Sequence, residues 1–161
     1  MRLLVGGSED GKLMAMWAIG QLVHDNPANQ GAVRMAGGIA PLVRLLEDGS
    51  EERKLQAARA LGSLASAATD PATQDALRAA GGIAPLVGLL EDGHEEGKLV
   101  AAWALFNLAF SHLANQNAVR AAGGIAPLVR LLEGGSEGGR RKRCARLPPA
   151  TPPTRLLCTP R

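Results

Sequence analysis

The sequence predicts an all-α solenoid, a stack of repeated three-helix units. The deciding observation is an eight-residue element, Ala-Gly-Gly-Ile-Ala-Pro-Leu-Val, that occurs at residues 36–43, 80–87 and 122–129. Self-similarity at a period of about 40–47 residues is typical of stacked helical arrays. Apolar residues make up 46% of the chain and aromatic residues only 2%. Because alanine and leucine carry this apolar content, the composition favours helices over strands.

The recurring element is predicted to span the junction between two helices. One of the paired glycines, Gly37 or Gly38, can adopt the left-handed conformation that closes the preceding helix. Pro41 then falls in the first turn of the next helix, where its missing N–H needs no intrahelical partner. A phosphate-binding loop would need a preceding strand and a fuller glycine pattern. We therefore interpret the glycines as helix terminators.

Each unit is predicted to contain a short, a medium and a long helix. The short helices start where a capping side chain precedes proline, at residues 26–27 and 70–71. The third copy has the weaker His112 at this place and is predicted to rely on Ser111 as its cap. The long helices start at a capping residue followed by acidic residues, which suit the positive end of the helix dipole. The predicted long helices run roughly over residues 9–24, 51–66 and 95–110.

The chain is predicted to divide into a repeat array, residues 1–136, and a disordered tail, residues 137–161. The array carries 11 Lys and Arg against 14 Asp and Glu, and the tail carries 7 against one. The net charge of +3 therefore arises in the tail and does not mark the array as a nucleic-acid binder. Half of the ten prolines lie in the tail, which has no apolar period. The array is predicted to hold a partial repeat at 1–24, full repeats at 27–66 and 71–110, and a partial repeat at 113–134.

Several function classes receive no support from the sequence. No apolar run approaches the roughly 18 residues of a membrane span, and residues 1–7 are too short for a signal peptide. We therefore expect an intracellular protein, cytoplasmic or nuclear. Cys144 and Cys158 both lie in the tail and predict neither a disulfide framework nor a metal site. The histidines lack metal-ligand spacing and no serine lies in a nucleophile elbow, so we expect no cofactor, no metal and no enzymatic activity.

Two motifs resemble the armadillo repeat family over about residues 3–134. The first is the recurring element extended to Ala-Gly-Gly-Ile-Ala-Pro-Leu-Val-x-Leu-Leu, and the second is Ala-Ala-Trp-Ala-Leu-Phe-Asn-Leu-Ala at residues 101–109. The resemblance implies a right-handed superhelix whose long third helices line a concave groove. It also implies a non-enzymatic role in binding an extended peptide segment of a partner protein, with no small-molecule substrate.

The second motif contains the best candidate for a binding site. Trp103 and Asn107 are four residues apart and therefore share one face of a helix. In the importin-α adaptors of this family, the matching Trp and Asn line the peptide groove. The resemblance implies that the Asn amide fixes the bound backbone and that the Trp flanks a Lys or Arg side chain. The helix over 95–110 is also apolar nearly all round, which is typical of a helix buried between layers.

The other two long helices match this pair less well. Trp17 with Gln21 is a near match, whereas Arg59 with Ser63 departs from the pattern. Arg59 would repel a basic peptide. The alternative to a groove is that both tryptophans pack between repeats. The candidate groove residues are Trp17, Gln21, Arg59, Ser63, Trp103 and Asn107.

The leading functional hypothesis is a scaffold or adaptor module that holds a partner segment in its groove. The second is a nuclear-import-type adaptor that recognises basic localisation peptides, or a chain whose own basic run, residues 140–143, is a localisation signal. The tail has a third interpretation as a solvated charge run or the product of a truncated or misread gene. Nucleic-acid binding through the tail alone is a distant class.

The ends of the array predict self-association. Units of a solenoid contact only their neighbours, and polar caps keep such arrays soluble. The sequence shows neither cap, because the helix over 9–24 lacks most of its own unit and the medium helix over 124–134 lacks a long helix. We expect these open ends to associate and to fray. The stripe expected to be exposed consists of Leu128, Val129, Leu131 and Leu132.

Overall fold

The computed structural model describes residues 8–66 and 71–133. Within these ranges the chain is helical, without a β-strand. The predicted tail, the first seven residues and the predicted cap at residue 70 lie outside the described residues. Helices in the described residues are α1 (Glu9–Val23), α2 (Pro27–Met35), α3 (Ile39–Asp48), α4 (Glu51–Leu64), α5 (Pro71–Ala79), α6 (Ile83–Asp92), α7 (Glu95–Ala109), α8 (Leu113–Ala121) and α9 (125–133).

The three long helices, α1, α4 and α7, end one or two residues earlier than predicted. Asp25 and Ser111 adopt left-handed conformations, with φ of 50° and 53°, two residues after the last residues of α1 and α7. Non-glycine residues rarely adopt this conformation, although aspartate is among those that tolerate it. His24 and Phe110, which directly precede these two residues, already have an extended backbone with ψ of 119°, so α1 and α7 each end one residue before the predicted boundary.

The double glycine terminates a helix, as predicted. Gly37 has a φ of 72°, and its N–H donates to the carbonyl of Arg34 at 2.9 Å. The N–H of Gly38 donates to the carbonyl of Val33 at 3.0 Å. These two bonds form a Schellman motif, which satisfies carbonyl groups that the helix end leaves unpaired. The equivalent glycines of the other copies have the same backbone conformation.

The start of α8 differs from the prediction. His112, and not Ser111, is the capping residue, and its Nδ1 accepts a hydrogen bond from the N–H of Asn115 at 3.4 Å. A neutral imidazole has one unprotonated ring nitrogen and can therefore cap a helix as serine does. His94 caps α7 in the same way, with its Nδ1 3.1 Å from the N–H of Gly97.

Packing places the long helices side by side, with α4 between α1 and α7 and with α3 and α6 against α4 and α7 respectively. Leucines fill the interior, among them Leu42, Leu61 and Leu108, which are almost completely buried. Burial of each such side chain contributes about 1.5–3 kcal/mol. Small residues lie where α4 meets α7: a β-carbon on Gly62 would be 3.2 Å from the α-carbon of Ala104, which is itself buried. Such small side chains let the two helices approach closely.

The prediction that the helix over 95–110 is buried all round is wrong on one side. Leu99, Phe106 and Phe110 of this region are exposed. Of the stripe expected to be exposed, Val129 and Leu132 are exposed, whereas Leu128 and Leu131 are half-buried. Among the described residues, no helix combines the length and apolarity that crossing a bilayer requires.

Candidate functional site: a groove between the long helices

A groove of about 530 Å³ lies between α1, α4 and α7, and we call it the long-helix groove. Side chains of three consecutive repeats line it, because residues at equivalent positions of parallel long helices face the same way. It contains two indoles, one guanidinium, one imidazole, two side-chain amides and one hydroxyl group. Its lining residues are Met16, Trp17, Gly20, Gln21, His24, Gln56, Arg59, Ala60, Ser63 and Trp103.

The groove brings together five of the six residues singled out in the sequence. Trp17, Arg59 and Trp103 occupy the same position on successive long helices, and Gln21 and Ser63 follow four residues later on the same faces. The sixth, Asn107, is not part of the lining. The sequence did not single out Met16, Gly20, His24, Gln56 and Ala60, and it offers no signal for them beyond their helical spacing.

Trp103 packs against α4 and lines the groove at once. A β-carbon placed on Gly62 would lie 2.3 Å from Cζ3 of the Trp103 ring, so this ring rests on a part of α4 that has no side chain. The residue is nevertheless 39% exposed. Trp17 is more open, at 54% exposure. The sequence presented packing between repeats and groove lining as alternatives. Trp103 does both, because its ring packs on α4 and also lines the groove.

Asn107 lies under the groove surface and has a different environment from the one that the resemblance implies. It is 6% exposed, and its Nδ2 donates to the carbonyl of Gly62 at 3.0 Å. One amide N–H is thus used to join α7 to α4. The physical reason is again the absence of a side chain at Gly62, which brings this carbonyl within reach of the Asn107 amide. In this structure Asn107 holds two long helices in register.

Arg59 stands at the centre of the groove as half of an ion pair. Its Nη2 contacts Oε1 of Glu96 in the first turn of α7, and the two side chains are 48% and 57% exposed. Exposed pairs of this kind contribute about 0–1 kcal/mol. The pair therefore fixes the direction of the guanidinium more than it stabilises the fold.

An acidic row runs beside the groove. Asp10, Glu52 and Glu96 occupy equivalent positions in the first turns of the three long helices, two turns before Trp17, Arg59 and Trp103, and all three are exposed. Glu52 accepts a hydrogen bond from the Gln56 amide at 2.8 Å. The groove thus has a positive centre and a negative edge.

Two buried glutamines set the spacing of the groove, and the sequence analysis missed them. The Nε2 of Gln30 lies 3.0 Å from the carbonyl of Val23 and 3.3 Å from that of Ser63. In the next unit, the Nε2 of Gln74 donates to the carbonyl of Asn107 at 2.9 Å. Each glutamine therefore links the ends of two successive long helices. The available signal was that glutamine recurs at 30, 74 and 116, one repeat apart.

The described residues hold no cluster of metal ligands, and the carboxyl group with a clearly shifted pKa is that of Asp75. Within them, no three His, Cys, Asp or Glu side chains lie close enough together to hold a metal ion. Asp75, on α5, has a pKa held below its usual range chiefly by a hydrogen bond from Arg78, while desolvation opposes the shift. The Nε2 of His112 lies 3.4 Å from the Asp75 carboxylate, and protonation of this imidazole would favour the ionised carboxyl group. This cluster, in which Asp75 and Arg78 are about half exposed and His112 is largely buried, lies outside the long-helix groove.

Comparison with known families settles what the repeated unit is. The model of the armadillo/beta-catenin-like repeat matches residues 26–66 and 70–110. The chain belongs to the armadillo repeat family. The predicted all-α armadillo solenoid is therefore confirmed. None of the curated protein sequences compared with this armadillo chain gives a significant match.

Several solved structures similar to this armadillo chain are designed proteins. One is a designed armadillo repeat protein in complex with the peptide (KR)4, with 36% identity and a TM-score of 0.78 over 84% of this chain. A second designed armadillo repeat protein has 31% identity and a TM-score of 0.78 over 84% of this chain. A third, described as computationally designed for modular peptide recognition, has 34% identity and a TM-score of 0.75 over 84% of this chain. The chain spans 56% of the length of each of these three proteins.

Proposed function

We propose that this armadillo chain is a non-enzymatic interaction module, a scaffold or adaptor, that binds an extended segment of a partner protein in the long-helix groove. The observation that carries the proposal is the alignment of Trp17 and Trp103 along one groove with much of each side chain exposed. Exposed tryptophan is uncommon on surfaces that bind nothing, and it is enriched among the residues that dominate binding energy.

The chemistry of the groove suits an extended backbone. Such a backbone presents an unpaired N–H or C=O at every residue, and these groups lose affinity if they are buried without partners. Gln21 is exposed beside Trp17, and its amide can both donate and accept. The designed relatives support the proposal, because one is in complex with a peptide and another is described as made for modular peptide recognition.

The test is selection of a displayed random dodecapeptide library, followed by affinity measurements on the selected peptides. Trp17→Ala is the first variant, because this indole is more than half exposed and its removal leaves the helices packed. Loss of a dominant contact costs about 2 kcal/mol or more, which corresponds to roughly 30-fold weaker binding. Met35→Ala is the matched control, since Met35 is an exposed apolar residue outside the groove.

Equal binding by Trp17→Ala, Met35→Ala and the unmodified chain would contradict the proposal. Circular dichroism of each variant shows whether the helices remain. Trp103→Ala is the second variant and needs this check most, because Trp103 also packs on Gly62.

A nuclear-import-type adaptor that recognises basic localisation peptides is the second candidate. The designed relative in complex with (KR)4 favours it, as does the acidic row beside the groove. Arg59 disfavours it, since it places a positive charge at the groove centre. Binding of (KR)4 that is abolished by Trp17→Ala and strengthened by Arg59→Gln would support this candidate. An intracellular location, cytoplasmic or nuclear, stays a prediction.

A further inference from the structure

We infer that Arg59 selects the partner segment by charge: the centre of the long-helix groove takes an acidic side chain, flanked on either side by apolar side chains on Trp17 and Trp103. This inference rests on the proposed function, because it assumes that the groove holds an extended segment. It goes further by naming the chemistry of that segment. It also sets this chain apart from its designed relative in complex with (KR)4.

The order of side chains along the groove is the first step. Arg59 occupies on α4 the position that Trp17 and Trp103 occupy on α1 and α7, and all three line the same groove. A segment that crosses the three helices therefore meets an indole, a guanidinium and a second indole in turn. Packed helices are about 8–10 Å apart and an extended chain rises about 3.3 Å per residue. The three contacts are thus two or three residues apart in the segment.

The ion pair with Glu96 leaves the guanidinium able to bind a second carboxylate. A guanidinium has five N–H donors in a planar fork, and Glu96 contacts its Nη2. Both side chains of the pair are about half exposed, so solvent already screens their attraction. Glu96 anchors one edge of the fork and so orients the other edge. A carboxylate that approaches that edge meets a donor already in place, which lowers the entropic cost of binding.

The neighbouring charges decide between an acidic and a basic occupant of the centre. A Lys or Arg side chain placed there would meet the Arg59 guanidinium at short range, and like charges in contact are unfavourable. The carboxylates of Asp10, Glu52 and Glu96 belong to the first turns of the helices, two turns from the indoles. A basic side chain of the bound segment would therefore pair with these carboxylates at the edge of the groove. An acidic side chain would pair with Arg59 at its centre.

The experiment uses the full chain and the dodecapeptide library described above. Selection should enrich Asp or Glu at one position with apolar residues two or three positions away on each side. Fluorescence anisotropy then compares each selected peptide with versions that carry Gln or Lys at the acidic position. We expect at least about 5-fold weaker binding with Gln, because the neutral amide loses the charge-assisted hydrogen bond to Arg59, a bond for which Glu96 already competes. Lys should weaken binding further.

Variants of the chain provide the complementary evidence. Arg59→Glu should reverse the preference, so that the Lys peptide binds more tightly than the Glu peptide. Glu96→Gln keeps an amide oxygen that can still orient the Arg59 guanidinium and removes the competing negative charge, so it should strengthen binding of the acidic peptide about 2- to 5-fold. Arg44→Glu is the control: Arg44 is exposed on α3, outside the groove, and its substitution changes the net charge equally.

Two failures are distinguishable. Selected peptides that are neutral or basic at the centre, or a preference unchanged by Arg59→Glu, overturn the inference even if Trp17→Ala still abolishes binding. If instead neither the charge variants nor Trp17→Ala changes binding, or if the library yields no binder, the proposed function fails and the inference fails with it. An effect of Arg44→Glu as large as that of Arg59→Glu would assign the preference to net charge and would also overturn the inference.

Discussion

Gly62→Ala tests whether the close contact between α4 and α7 builds the groove. The new β-carbon would lie 2.3 Å from Cζ3 and 2.6 Å from Cε3 of the Trp103 ring, and 3.2 Å from the α-carbon of Ala104. The ring or the helix must therefore move. Overpacking of this kind costs about 1–3 kcal/mol, whereas alanine in place of glycine inside a helix gains about 0.5–1 kcal/mol. The free energy of unfolding should fall by up to about 2.5 kcal/mol.

Gly88→Ala is the matched control, because Gly88 lies inside α6 and a β-carbon there would have no neighbour within 4 Å. It should raise the free energy of unfolding by about 0.5–1 kcal/mol. The two variants should thus differ by about 1–3 kcal/mol, the whole overpacking term. Urea unfolding followed by circular dichroism measures this difference. The fluorescence of Trp103, recorded in a Trp17→Phe background, should change in Gly62→Ala and not in Gly88→Ala.

Equal stabilisation by the two substitutions, with unchanged Trp103 fluorescence, would refute the packing of the indole on Gly62. The close approach of α4 and α7 at Gly62 would then no longer explain the groove, because the hydrogen bond from Asn107 to the Gly62 carbonyl depends on the same close approach.

Three further predictions concern the links between repeats, acid stability and self-association. Gln74→Met should lower the free energy of unfolding by about 1–3 kcal/mol, because it leaves buried carbonyl groups without a donor. The control is Gln116→Met, at the exposed equivalent position of the next repeat. In the same urea titration it should lower the free energy of unfolding by less than about 0.5 kcal/mol. The hydrogen bond from Arg78 lowers the pKa of Asp75 in the folded state, so the stability it contributes is complete above about pH 4 and is lost as the pH falls through the lowered pKa. Asp75→Asn should therefore destabilise the chain near pH 7 while making its stability less dependent on pH in acid, and NMR titration of the carboxyl group should show the lowered pKa directly; an ordinary pKa would contradict this. Phe106 is exposed and packs edge-to-face on Phe110, so this apolar surface should promote self-association of the chain. Sedimentation should show a mass that increases with protein concentration, and Phe106→Ser should reduce this increase. A monomer at all concentrations would contradict the prediction.

The fold was predictable because the residues that end and start its helices act through local backbone restrictions. Glycine at a left-handed position and proline in a first turn restrict the backbone wherever they occur, so three copies of Gly-Gly-Ile-Ala-Pro determine three helix junctions without reference to the rest of the molecule. The faces of the long helices were predictable for the same reason, since Trp17 with Gln21 and Trp103 with Asn107 share a face by spacing alone.

The hydrogen bonds and ion pair that join neighbouring repeats at the groove were not predictable, because they depend on how closely helices of different repeats approach each other. Helical spacing places Asn107 on the groove side of α7, but only the position of α4 shows that its amide reaches the carbonyl of Gly62. Gln30 and Gln74 were missed because a glutamine in a short helix normally indicates an exposed surface. Their burial follows from tertiary contacts between units. The ion pair between Arg59 and Glu96 likewise joins residues 37 positions apart.

The cap of α8 shows how a local preference can mislead. Serine is a better capping residue than histidine on average, and Ser111 directly precedes His112. The backbone turn after α7 places Ser111 at a φ of 53°. A capping residue has an extended conformation, which His112 adopts with a φ of −129°.

NMR of the two indole N–H groups tests the central claim most directly. The chain contains two tryptophans, Trp17 and Trp103, and both line the long-helix groove. Titration of uniformly ¹⁵N-labelled protein with a selected dodecapeptide should shift both indole signals with the same saturation curve, together with backbone signals of α1, α4 and α7. The account is contradicted if the peptide saturates the protein while both indole signals stay unchanged and the shifted backbone signals belong to α2, α3, α5 and α6.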